Sequence, residues 1–189
     1  MPQSGLLRPL LAVALGAAVL GACTTATPYQ PLGMPGTGAS GGFSEVRLAS
    51  DRYRVTFAGN SLTSRERVET YLLYRAAELT AQRGYDSFTI VDRATDRNVE
   101  TCIYRDPFGA GRYRFWRPYW RYRGAGWGWR RWDPWFGDPF WADSIDVSTV
   151  QRFEASAEIV MLRGTRGGEK SFNAREVLAN LGPTIELPR

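Results

Sequence analysis

Hydrophobic and polar positions alternate with a period of two in three stretches and with a helical period in two others, which divides the chain into elements. In Tyr53-Arg54-Val55-Thr56-Phe57 every second residue is apolar, so the region 43–60 is expected to be strand with one buried face. Gly59-Asn60 closes it as a turn. Thr63-Ser64-Arg65-Glu66 has the form of a capping box, in which the Thr63 hydroxyl and the Glu66 carboxylate accept from backbone N–H groups that the first helical turn leaves unpaired. A helix is predicted from there to about Arg83. Val68, Leu72, Ala76 and Leu79 form its apolar stripe, Tyr71 borders the stripe, and Gly84 stands where a left-handed cap is wanted.

Alternation resumes over Tyr85–Ala94 through Phe88 and Ile90. Strand, helix and strand in this order suggest a right-handed βαβ crossover. Asp96-Arg97-Asn98 reads as a turn and Val99–Tyr104 as a further strand. The clearest strand is 152–161, where Phe153, Ala155, Ala157, Ile159 and Met161 alternate with a mostly charged set. A turn at Gly164–Gly168 follows. Asn173, with Glu176 three residues on, caps a short last helix that turns Val177, Leu178 and Leu181 inward and stops at Gly182-Pro183. The expected fold class is α+β: a two-layer sandwich of four to five mostly antiparallel strands with two helices and one long aromatic loop.

The first 22 residues have another pattern. Arg8 precedes an uncharged apolar run, Leu10–Leu20, about half the ~20 residues that cross a bilayer comfortably, so the segment reads as a secretory signal. It ends in Leu20-Gly21-Ala22-Cys23, which resembles the lipobox of bacterial lipoproteins. The resemblance implies diacylglycerol transfer to the Cys23 thiol, cleavage between Ala22 and Cys23, and acylation of the new amino group by a chain such as palmitate. Two or three acyl chains anchor stably where one is marginal. Thr24 replaces the aspartate that retains lipoproteins of enterobacterial type in the inner membrane, so the expected location is the cell envelope, at the outer membrane facing the periplasm. Residues 23–42, rich in Pro, Gly, Ser and Thr and uncharged, read as a flexible tether. The folded domain is then 43–189.

The stretches Tyr53–Asn60, Val68–Thr80 and Gly84–Phe88, together with the lipobox, resemble a family of small alphaproteobacterial lipoproteins of Caulobacter type over roughly residues 29–95. That resemblance implies no activity and no catalytic residues.

Composition narrows the chemistry. Hydrophobic content of 43% is ordinary for a globular protein, and the chain contains no histidine. That excludes Ser-His-Asp and Cys-His catalysis and removes the commonest metal ligand. With only two cysteines, Cys23 and Cys102, a four-ligand structural zinc site is also excluded. Cys102, within Val99–Ile103, reads as a buried small residue, or else as a thiol able to join two chains. Asp86, Asp92 and Asp96 read as a solvated strand end and not as a facing carboxylate pair. Gly109-Ala110-Gly111 and Gly167-Gly168 lack the Lys-Ser/Thr of a phosphate loop. No cofactor or metal is expected, and the chain is read as not an enzyme.

Residues 105–141 stand apart. All seven tryptophans lie there, with eight arginines and three aspartates, so this segment carries as much net charge as the whole chain, +5. Interleaved Gly and Pro predict an irregular insert that could be deleted without unfolding the rest. Its candidate binding residues are Trp116, Trp120, Arg121, Trp127, Trp129, Arg130, Arg131, Trp132 and Trp135. Indole and guanidinium groups suit lipid headgroups or lipopolysaccharide, the sugar rings of peptidoglycan, or a hot spot for an envelope protein. Single-stranded nucleic acid fits the same residue types, but an exported domain meets little of it, so no nucleic-acid partner is expected. The remaining possibility is a loop whose Arg–Trp contacts close on themselves.

Overall fold

The computed structural model describes residues 25–36, 39–91, 113, 115, 116, 118–124, 127–132, 150–164 and 171–188. The signal segment, Cys23, Cys102, Asp92, Asp96, Trp135 and the expected strand at 99–104 lie outside these residues. Among the described residues the order is β1 (Gly42–Arg47), β2 (Arg52–Ala58), α1 (Arg65–Gln82), β3 (Ser87–Ile90), β4 (Tyr119–Gly124), β5 (Trp127–Trp132), β6 (Val150–Leu162), β7 (Ser171–Asn173) and α2 (Ala174–Leu181), followed by a 3-10 turn, Gly182–Thr184. The fold is α+β: one open antiparallel sheet with two helices.

Strand β6 organises the sheet. Along one edge its residues 154–160 pair with the whole of β2, and β1 extends the sheet beyond β2. Along the other edge β6 serves two partners in succession, β4 over residues 150–156 and β3 over 159–162. The sheet therefore forks there, into β4–β5 at one end and β3–β7 at the other. Seven strands replace the four to five expected. The region 43–60 proves to be a hairpin, β1–β2, whose turn is closed by Leu48 and Ala49 N–H groups donating to the Arg52 carbonyl. Strands β2 and β3 do run parallel across helix α1, but β6 lies between them, antiparallel to both. Helix α1 thus links two parallel strands, as in the expected βαβ unit, with β6 inserted between them.

Alternation decides what packs. On β6, Ala155, Ala157, Ile159 and Met161 are buried and face the helix layer. Ala155 lies between Phe57 of β2 and Trp120 of β4 in register. A methyl group at the centre leaves room for large rings on both sides. Helix α1 crosses β2, β6 and β3, and α2 packs beside it. The rings of Phe57 and Tyr71 meet edge to face at 5.3 Å, and Phe88 stacks on Phe172 at 5.4 Å.

The N-terminus of α1 departs from the expected capping box by one residue. Ser64 is the cap and accepts from the Arg67 N–H at 3.2 Å. Thr63 turns inward instead, and its hydroxyl accepts from the Thr27 N–H at 2.8 Å and the Asn60 N–H at 3.1 Å. At the other end Gly84 adopts φ 75°, and its N–H donates to Ala81 as the left-handed cap expected there. Asn173 caps α2 as expected, accepting from the Glu176 N–H at 3.0 Å.

The largest correction outside the insert concerns the tether. Residues 25–32 and 39–42 are docked on the domain, while 33–36 are exposed. Thr27, Tyr29 and Gln30 are buried, and Tyr29 N–H donates to the Glu186 carbonyl at 2.8 Å. Pro31 bridges to Phe43, and Gln30 Nε2 donates to the Ala39 and Gly41 carbonyls. Gly41 and Gly42 permit this approach. They hold φ of 104° and 134°, and a Cβ would lie 2.4 Å from the Ala58 and Gln30 carbonyl oxygens respectively. Glycines that suggest a linker by composition here allow close packing.

Candidate functional site

The arginine- and tryptophan-rich insert is not a loop throughout. Residues 119–124 and 127–132 form the β4–β5 hairpin, and β4 is hydrogen-bonded into the sheet against β6. Strand period two had been concealed by the flanking glycines and prolines. In Tyr119-Trp120-Arg121-Tyr122-Arg123, Trp120 and Tyr122 are buried, while Tyr119, Arg121 and Arg123 are exposed on the opposite side. Trp116, just before β4, is 1% exposed and meets Phe172 edge to face at 5.8 Å. Its indole N–H has no hydrogen-bond partner among the described residues. Each of these two tryptophans removes about 200 Å² from water, worth roughly 5 kcal/mol as an upper bound. Deleting 105–141 would therefore remove core as well as surface, contrary to the expectation of a dispensable insert.

The sequence-predicted binding residues thus separate. Trp116 and Trp120 belong to the core and present no surface to a ligand. Arg121 is exposed, and Trp129 is 39% exposed. Their groups meet, with the guanidinium 5.1 Å from the ring centroid. Trp127, Arg130, Arg131 and Trp132 occupy β5, with side chains outside the description. Trp135 lies outside the described residues, as does Cys23.

What gathers around Arg121 is the face of the sheet that the helices leave open. Arg121 is paired in register with Glu154 of β6 and donates to it through Nε at 3.0 Å and Nη2 at 2.5 Å. Further along β6, Glu158 is buried at 7% exposure beneath two arginines of β2. Arg52 donates to one of its oxygens, and Arg54 lies 3.5 Å from the other. Arg123 and Arg152 stand directly opposite each other across β4 and β6, both exposed. Neither has an acidic partner among the described residues. Sequence reasoning passed over Arg52, Arg54, Arg123 and Arg152. The alternation in 52–57 and 152–161 put Arg52, Arg54 and Arg152 on the polar face, but only the register brings them beside Arg121 and Arg123 of the insert.

A second polar cluster lies on the helix side. Arg75, 7% exposed, donates to Glu45 at 2.8 Å and to Glu78 at 2.5 Å, and its guanidinium lies 4.3 Å from the Phe43 ring centroid. Tyr29 donates its hydroxyl to Glu78. Burial, reinforced by the Glu78 carboxylate, pushes the Tyr29 hydroxyl well above the usual tyrosine range. Arg75 is likewise held above its ordinary value, because its two glutamates outweigh the cost of burial. This cluster fastens the N-terminal segment and β1 to α1.

Among the described residues no group of three or more His, Cys, Asp and Glu is placed to hold a metal ion, and no helix is long and apolar enough to cross a membrane. Asp86 uses its carboxylate to accept the Gly164 N–H at 2.6 Å, closing the turn after β6. Compared with known families, curated proteins and solved structures, the chain matches no family model, no curated sequence and no structure.

Proposed function

We propose that the protein is a non-enzymatic, membrane-anchored lipoprotein of the bacterial envelope whose domain offers an arginine- and aromatic-bearing sheet face as an interaction surface. One observation carries the reading. Helices cover one face of the sheet, while the other turns outward Arg52, Arg54, Arg121, Arg123 and Arg152 beside Tyr119 and Trp129. Planar guanidinium and aromatic groups on a rigid sheet suit phosphate-bearing or sugar-bearing envelope components. The anchor rests on Leu20-Gly21-Ala22-Cys23, and with it the envelope location.

A glycan-binding module for peptidoglycan or lipopolysaccharide is the second reading, favoured by the Arg121–Trp129 contact. A glycan-active enzyme has less support, because Glu154 and Glu158 on this face are both engaged by arginine. Acyl-chain labelling followed by fractionation tests the anchor. Cys23→Ala is expected to lose the label and leave the membrane fraction, and labelling equal to wild type would overturn the reading.

A further inference from the structure

Resting on that reading, we infer that the lipid anchor and the like-charged Arg123–Arg152 pair face the same membrane, and that this end of the sheet binds anionic phospholipid headgroups of the bilayer holding the anchor. Cys23 lies two residues before Thr25, so the leash between them reaches at most about 7 Å. Thr25 is fixed, its carbonyl accepting from Asn60 Nδ2 at 2.8 Å. The preceding residue, Gly59, donates its N–H to the Phe153 carbonyl at 2.9 Å. Phe153 adjoins Arg152, which stands opposite Arg123 at the hairpin end of β4. The attachment point and the arginine pair thus occupy one end of the sheet, a few residues apart.

Among the described residues, charge at that end has no acidic counterpart. Along the β4–β6 ladder Arg121 meets Glu154, whereas the next outward-facing pair sets two arginines against each other. Like charges directly opposite destabilise a sheet, and phosphate oxygens between them would reverse that cost. Trp129 lies opposite Arg123 on β5 and is 39% exposed, as suits an indole at headgroup level. Leu62, 52% exposed, donates its N–H to Asn60, the residue that holds Thr25.

Hydrogen exchange on the purified lipidated protein in vesicles tests this. In phosphatidylethanolamine–phosphatidylglycerol vesicles, amides of residues 58–63, 121–124 and 127–129 should exchange roughly tenfold more slowly than in phosphatidylcholine vesicles, since each arginine contributes at an anionic surface. Arg123→Glu/Arg152→Glu should abolish the difference while still floating with the vesicles, and Arg123→Lys/Arg152→Lys should retain most of it. Ten Gly/Ser residues inserted after Thr24 should weaken it. Exchange indifferent to lipid charge in floating protein would overturn the inference alone, as would protection produced only by peptidoglycan fragments. Wild-type protein that fails to float would overturn the lipoprotein reading as well.

Discussion

Trp116 and Trp129 come from one arginine- and tryptophan-rich stretch, yet the first is 1% exposed and the second 39%. The same contrast separates Trp120 from Arg121, which are adjacent in sequence and on opposite sides of the sheet. Composition alone makes the stretch look like a single sticky surface. Strand parity divides it: one side completes the core, with Trp116 against Phe88 of β3 and Phe172 of β7, and the other extends a charged face across β6 to β2. An aromatic-rich insert can therefore be scaffold and surface at once.

The contrast can be broken by substitution. Trp120→Ala, at a position with 0% exposure, should cost about 4 kcal/mol in chemical denaturation, whereas Trp129→Ala should cost under about 1 kcal/mol. Equal effects would erase the distinction. Arg75→Ala should cost roughly 3 kcal/mol by leaving Glu45 and Glu78 partly buried without their cation. Arg152→Ala, exposed and opposite another arginine, should be neutral or slightly stabilising in the same measurement. Thr63→Val should cost about 1–2 kcal/mol through lost hydrogen bonds to Thr27 and Asn60. It should also speed proteolysis within 25–36. Undiminished protection there would mean that the segment is held by other contacts.

A smaller effect concerns pH. Tyr29 is raised from its ordinary 10.0 by burial first and by Glu78 second. The folded state thus keeps a proton that the unfolded chain releases above about pH 10. The stabilisation is complete below that value and falls as pH rises further, by roughly 1 kcal/mol per pH unit for this group. Tyr71 and Tyr74 are raised too, both chiefly by burial, and act in the same direction. Tyr29→Phe should flatten the alkaline limb of a stability–pH curve, and an unchanged slope would remove Tyr29 from the account.

How much of this was legible depended on how local the signal was. The α1 stripe, the Gly84 cap, the Asn173 cap and the alternation of β6 are properties of short windows, and the structure carries them. The docking of residues 25–32 was not legible, because Thr27 and Tyr29 are held by Thr63 and Glu186, residues distant in sequence. Only those contacts distinguish Gly41 and Gly42 from linker glycines. The burial of Glu69, Leu73, Arg75 and Thr80 around the rest of α1 has a similar origin, since α2 and the N-terminal segment cover sides that the stripe does not include. The hairpin in the insert was concealed by its Gly and Pro, although Trp120 and Tyr122 keep the period. Arg123 and Arg152 could not be paired from sequence, because register across 29 residues is a tertiary fact.

Strand parity divides the insert into buried indoles and an outward arginine face. Hydroxyl-radical footprinting with residue-level mass spectrometry tests it most directly on the folded protein. Trp116 and Trp120 should be protected to the level of Phe57 and Phe88, while Trp129 should be oxidised readily. Oxidation of Trp116 and Trp120 at the rate of Trp129, in protein whose β6 core remains protected, would contradict it.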